Sequence, residues 1–334
     1  MNITTLQTYI ITSISALQNK LIKRKMGNVF VVLTPLVHGL VKLAGLTPQT
    51  IEIEPGTQMN IWVPKEIITK HDGKTVYIPP TKPAVLLLHS FAFDGILTWF
   101  LQVLALNKDY SLYVPDFLFF GGSITDKKER SASFQAAFVA KGLEKLKVDK
   151  VTLVGLSYGG MVGFKMAKMY PHLVKSMVMS ATVIEMTESI SLDAYKRLDI
   201  SSWSELLIPA TLEGLKKMFS IGFHKVPWLP DFVYRDILET MFSNRKEKKE
   251  LLEELVVSDK DASLDTNYSQ MIHLLWGDDD KIFDLNHAMT MKRQLGDKTT
   301  LEWIKDAGHL VPLEKSSEYN KRLKSVLQRI TKDQ

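Results

Sequence analysis

The chain of 334 residues contains no cysteine. That excludes disulfides, thiolate-held zinc and prenylation, and it fits a reducing compartment. No uninterrupted apolar run reaches the roughly twenty residues that a bilayer-spanning helix needs. There is no H-E-x-x-H or other metal-ligand spacing, so neither a metal nor a cofactor is expected. Internal repeats and low-complexity tracts are also missing. Residues 1–50 lack Asp and Glu altogether, and their strong bases are Lys20, Lys23, Arg24, Lys25 and Lys42. Those five account for the whole net charge of +5. The rest of the chain is balanced, no basic face is implied, and nucleic acid is not an expected partner.

The first residues carry their own pattern. Ile3, Leu6, Ile10, Ile14, Leu17 and Leu21 recur at helical spacing and are followed by the basic cluster Lys20 to Lys25. A secretory signal has its positive charge before the apolar run, the reverse of this order. Residues 1–45 read as an amphipathic or docking segment that touches an anionic membrane peripherally. The expected location is cytoplasmic, with that peripheral contact at a membrane surface.

What is present is an ordinary globular composition with strong strand signals. Thr50–Glu54 alternates with period two, Pro55-Gly56 turns the chain, and Gln58–Val63 returns as the second arm of a hairpin. Ala84–Leu88, Ser111–Val114, Val151–Val154, Val174–Met179, Met271–Trp276 and Thr299–Ile304 are apolar runs with helical patterns between most of them. Such alternation predicts a mostly parallel sheet covered on both faces. Residues 184–266 break it: no buried strand is evident there, and the helical pattern is rich in Trp, Met, Phe and Leu. The mixed-sign run Arg245–Glu250 reads as a solvated helix face.

The most informative stretch is Gly155-Leu156-Ser157-Tyr158-Gly159. It follows the Val151–Val154 strand and opens into a helix, the setting in which G-x-S-x-G denotes a nucleophilic serine on a tight, strained turn. Small residues are needed on either side because strand and helix backbones nearly touch. A serine hydroxyl needs a base, and the base needs a carboxylate to orient it. In parallel-sheet folds of this kind the order is Ser, acid, His. Three aspartates, Asp278, Asp279 and Asp280, follow the Met271–Trp276 strand. His309 follows the last strand within Ala307-Gly308-His309. His273, inside a strand, reads as a core residue. Oxyanion donors are expected from the Tyr158 N–H and, in the loop His89-Ser90-Phe91, from the Phe91 N–H. His89 reads as a structural residue of that loop.

Together these residues resemble the α/β-hydrolases, and within them a plant branch loosely called epoxide-hydrolase-like or monoacylglycerol-lipase-like. The resemblance runs from about Val37 to the C-terminus. It rests on Gly45–Thr50, Ile53–Thr57, Pro115-Asp116 through Ser123, Gly155–Gly160, Ser202–Leu207, Pro227–Phe232, Trp276-Gly277 to Phe283, and Ala307–His309. It implies a mostly parallel eight-stranded sheet with helices on both faces and a helical lid. The implied division is a hydrolase core over residues 46–183 and 267–334 with a lid over 184–266. The family's register places the orienting acid at Asp280. The family usually has Gly where this chain has Ser90, which bears on the second oxyanion donor. Epoxide and haloalkane hydrolases of this fold use an aspartate nucleophile, so Ser157 favours ester or related acyl chemistry.

The expected substrate is a hydrophobic small molecule or plant metabolite, held by Ser90, Phe93, Trp203, Met218, Phe219 and Trp228. Two other classes share these motifs: triad enzymes of C–C cleavage or elimination in specialised metabolism, and ligand receptors on the same fold.

Overall fold

Ala84–Leu88 forms a strand in which every residue is buried, as expected where helices cover both faces of a sheet. The computed structural model describes residues 28–262 and 265–332. The main path of its central sheet has eight strands: β1 (Leu46–Glu54), β2 (Thr57–Pro64), β3 (Ala84–Leu88), β4 (Ser111–Pro115), β5 (Val151–Leu156), β6 (Val174–Ser180), β7 (Met271–Gly277) and β8 (Thr299–Ile304). Their spatial order is β1-β2-β4-β3-β5-β6-β7-β8. β1 and β2 form the expected hairpin, β2 meets β4 antiparallel, and all later neighbours are parallel. A two-residue strand, Ile124–Thr125, pairs with β2 off this path. A separate hairpin joins Ile68–His71 to Lys74–Tyr77.

Strand alternation divides the core into two layers. Leu86 and Leu88 face one cluster with Leu153, Met177, Phe138 and Phe164. Val85 and Leu87 face the other with Val154, Val178, Trp99 and Leu327. The covering helices before the sheet's second half are α1 (Phe30–Leu43), α2 (Gly95–Leu106), α3 (Ala132–Lys145) and α4 (Tyr158–Met169).

Between β6 and β7 the chain leaves the sheet and forms α5 (Glu188–Leu198), α6 (Trp203–Leu207), α7 (Leu212–Gly222), α8 (Asp231–Met241) and α9 (Arg245–Leu255). After β7 come α10 (Leu285–Leu295), α11 (Val311–Glu314) and α12 (Ser316–Lys332). The helical reading of 184–266 misses one detail. Met186–Thr187 and Val256–Val257 pair as a short parallel ladder that ties the start of the insertion to its end. Two-residue strands are too short to leave a periodic signal.

The solvated reading of Arg245–Glu250 needs correction. Lys248 is buried with its ammonium over the Phe120 ring. Arg245 donates to the Ile208 and Pro209 carbonyls, and Glu250 accepts from Arg130. Long basic side chains bury their stems against apolar surface, and the seam between insertion and core uses that here. Of the N-terminal segment, residues 1–27 lie outside the described residues. Among the described residues no helix is long and apolar enough to cross a membrane.

Candidate active site

β5 lies at the centre of the sheet and ends at Leu156. Ser157 follows with φ 54° and ψ −118°, then α4 begins at Tyr158. A non-glycine residue in that region of backbone space is strained and persists only where its surroundings hold it. Here the Ser157 N–H donates to the Ser180 carbonyl at 2.9 Å, and Thr182 Oγ1 donates to the Ser157 carbonyl at 2.8 Å. Gly159 explains the motif's small residues: a Cβ there would overlap the backbone carbonyls of Leu88 and His89. The serine loop and the end of β3 are therefore in backbone contact.

His309 Nε2 lies 2.9 Å from Ser157 Oγ. On the other side of the ring, Nδ1 lies 3.1 and 3.0 Å from the two Asp280 oxygens. Asp280 Oδ1 also accepts the N–H groups of Ile282 and Phe283 at 2.8 and 3.0 Å. The Asp280 side chain is fully buried and that of His309 is 6% exposed. A carboxylate accepts only, so Nδ1 carries the proton and Nε2 is left to accept from the serine hydroxyl. Of the three aspartates, Asp280 is the one at the histidine. Asp279 Oδ2 pairs with His224 Nδ1 at 2.9 Å.

The histidine loop is held by a residue that the sequence reading passed over. Glu314, on α11, accepts the Gly308 N–H at 2.8 Å, and from the insertion the His224 N–H at 3.0 Å and the Lys225 N–H at 2.8 Å. Leu310 N–H donates to the Gly222 carbonyl at 3.0 Å. Gly308 has no room for a side chain, since a Cβ would sit 2.6 Å from His224 N. One carboxylate thus joins the end of α7 to the loop that carries His309.

On the opposite side, His89 is structural. Its Nε2 accepts the Phe117 N–H at 2.9 Å, so its Nδ1 donates to the Ser90 carbonyl at 2.7 Å. Burial pushes its pKa down to about 3, which keeps the ring neutral. The Phe91 ring packs edge-on against Tyr158 and Phe120, with centroids 5.5 and 5.1 Å apart. That contact pins the loop beside the start of α4, whose first N–H groups have no partner within the helix. Further along the loop, Asp94 caps α2 through the Leu97 N–H, and Asp116 accepts from Gly95 N, Gly122 N and Asn60 Nδ2. Burial, with Asp94 close by, raises the Asp116 pKa to about 7.

A cavity of about 30 Å³ lies over Ser157, room for a water molecule or two rather than a substrate. Core residues Phe91, Tyr158, Met161, Ile282, Phe283 and His309 line one side. Met186, Trp203, Leu207, Leu252 and Leu255 of the insertion line the other. Of the side chains expected to hold substrate, Trp203 lines this cavity. Ser90, next to Phe91 in the chain, is buried, and its hydroxyl finds no hydrogen-bond partner among the described residues. Phe93 lines a different cavity, of about 180 Å³, together with Asp94 and Lys248. Met218 and Phe219 are buried but are not among the residues lining this cavity, the Phe219 ring packing against Phe223 and Tyr234, and Trp228 is 80% exposed. Leu252 and Leu255 stand three apart on α9, a spacing that was legible but lay within a charged run. His273, read as a satisfied core residue, bonds Thr300 through Nδ1 while its buried Nε2 has no partner among the described residues.

Residues 83–213 match the family model described as the α/β hydrolase fold. A pyrrolizixenacetamide deacetylase of Xenorhabdus hominickii is 27% identical over 151 residues, 45% of this chain and 53% of that protein. The match therefore spans about half the length of that relative. A 2-hydroxy-6-oxononadienedioate/2-hydroxy-6-oxononatrienedioate hydrolase of a Pseudomonas species is 25% identical over 218 residues, 60% of this chain and 71% of that protein. Among solved structures, a candidate lipase of Acinetobacter baumannii AYE superposes with a TM-score of 0.76 at 18% identity, covering 92% of this chain and 99% of that one. The chain has the α/β-hydrolase fold, and the proteins it resembles are named as a deacetylase, a hydrolase and a candidate lipase.

Proposed function

We propose that this protein is a serine hydrolase that cleaves an ester of a hydrophobic small molecule through an acyl-enzyme. The observation that carries the reading is the continuous hydrogen-bonded row Ser157–His309–Asp280 opening into an apolar cavity. In the first step Ser157 Oγ bonds to the ester carbonyl carbon while its proton passes to His309 Nε2. The C–O bond to the alcohol then breaks, and His309 returns the proton to the departing oxygen. Water, deprotonated by His309, attacks the acyl carbon, the bond from that carbon to Ser157 Oγ breaks, and His309 returns the proton to Oγ. Asp280 holds the ring in the required tautomer and stabilises the imidazolium. The Tyr158 and Phe91 N–H groups are assigned to the developing oxyanion.

Among the described residues, those lining the cavity include no Lys or Arg. A substrate carboxylate would enter without a counter-charge, and burying an unpaired charge is costly. This argues against a dioate substrate of the kind named for the Pseudomonas relative, and for an acyl group that is neutral and apolar. It also ranks C–C hydrolysis of such dioates below ester cleavage, although the same triad serves both. The resemblance to a plant branch rests on its motifs, and the named relatives are bacterial. The insertion is assigned as the lid, because a cavity of this size admits a substrate only when α6 and α9 move away.

A fluorophosphonate probe is expected to label Ser157, and Ser157→Ala to remove both labelling and ester turnover. Absence of labelling, together with no turnover across a chain-length series of esters, would overturn the assignment.

A further inference from the structure

A surface helix ordinarily turns an apolar stripe inward and a charged one outward. α1 does not. Its buried residues are Phe30, Val37 and Val41. At about 100° per residue, Val31, Val32, Pro35, Leu36, Lys42 and Leu43 fall within an arc of about 140° on the opposite side. Val31 is 71% exposed, Leu36 47% and Leu43 87%. Lys42 is the only strong charge on the helix, and no carboxylate occurs in residues 1–50. The helix is also fastened to the insertion. Asn28 Nδ2 donates to the Asp236 carbonyl at 3.1 Å and to Thr240 Oγ1 at 2.9 Å, and the Val29 N–H donates to Asp236 Oδ2 at 2.7 Å.

We propose that the bare face of α1 docks on an anionic lipid bilayer, with Val31, Val32, Leu36 and Leu43 at the boundary between headgroups and acyl chains. Charge selects this occupant. Residues 1–50 carry Lys20, Lys23, Arg24, Lys25 and Lys42 and no Asp or Glu, and basic residues next to an apolar face are attracted to an anionic lipid surface. An exposed apolar helix face in a segment whose strong charges are all basic is the pattern of interfacial helices. Because α1 is bonded to α8, docking sets the insertion at the membrane, where an apolar ester is concentrated. That last consequence rests on the hydrolase reading; the docking itself does not.

The test uses full-length Ser157→Ala protein and vesicles of phosphatidylglycerol and phosphatidylcholine in equal parts. It should sediment with these vesicles, less with phosphatidylcholine alone, and less as salt rises. Adding Val31→Glu and Leu36→Glu should cut the bound fraction about tenfold or more. Both side chains are exposed, so thermal stability should hold; if it does not, Leu43→Glu replaces them. Failure of the parent to sediment, or equal sedimentation of parent and variant, overturns the proposal. So does a parent dimer that the variant dissolves, since a second copy would then cover α1. Failure of Ser157 labelling would leave these results unchanged, so the two readings fail separately.

Discussion

The sheet and the insertion both line the cavity over Ser157, but with different chemistry. The sheet side supplies Ser157 and His309 among its apolar residues, and the insertion supplies Met186, Trp203, Leu207, Leu252 and Leu255. Among the described residues, the insertion contributes no titratable group to the cavity wall. On the proposed reading, catalytic power and substrate selection are carried by separate parts of the chain, and variants in each should behave differently. The strongest break in the comparison comes from the sheet side. Asp280→Asn should lower kcat by about 10,000-fold, because an amide favours the wrong histidine tautomer. The measurement is single-turnover acylation with a chromogenic ester. A loss under about tenfold would mean that a neighbouring aspartate substitutes or that His309 is not the base.

Glu314 stands where the two regions meet, and it should show a hybrid phenotype. Hydrogen bonds to a charged group are worth about 1.5–3 kcal/mol each. Glu314→Gln disturbs bonds to both the Gly308 and the His224 N–H groups. With about 1.4 kcal/mol per tenfold in rate, kcat should fall about ten- to a hundredfold while KM changes about twofold or less. A change in KM alone would assign Glu314 to the insertion rather than to His309.

On the insertion side the expected effects are smaller and depend on the substrate. Leu255→Ala enlarges the cavity without touching the triad. Each additional methylene that the larger space buries adds about 0.8 kcal/mol, or about fourfold in kcat/KM. The rank order of a chain-length series should shift towards longer acyl groups, with the rate on an acetyl ester nearly unchanged. An equal loss on all esters would show that the insertion also positions the catalytic groups.

The same division explains what could be read without coordinates. Ser157 and His309 sit in local contexts, a strand-turn-helix and a loop after the last strand, whose spacing alone points to the roles proposed for them. Asp280 needed more, because three adjacent aspartates satisfy the same spacing; Asp280 is the one whose Oδ1 accepts the Ile282 and Phe283 N–H groups and whose side chain is fully buried. Glu314 left no local signature, because its three bonds reach backbone N–H groups at residues 224, 225 and 308. The cavity-lining residues were hardest. Met218, Phe219 and Leu252 are all apolar residues on amphipathic helices, and composition does not say whether such a side chain faces its own helix neighbours or a cavity. Lys248, read as solvated, is buried for a reason that lies 128 residues away, the Phe120 ring.

Lys248 also gives the smallest effect, and one with a defined sign. Burial first, and then the nearby Arg245, push its pKa from 10.5 down to about 8, with Asp94 acting in the opposite direction. Between about pH 8 and 10.5 the unfolded chain binds more protons at this site than the folded one, so stability rises with pH in that window. Below pH 8 the folded protein bears the full cost of the buried ammonium. Replacing the side chain by an apolar one of similar length, Lys248→Met, should therefore raise Tm at pH 7 by a few degrees. The gain should shrink as pH climbs through 8 and vanish near 10.5. Asp116 and His89 titrate below this range and act in opposite directions, so the difference between wild type and variant isolates Lys248. A gain that is the same at pH 7 and pH 10 would mean that packing, not charge, separates the two proteins. A loss at pH 7 would mean that the contact with Phe120 and the field of Asp94 outweigh the desolvation of the ammonium.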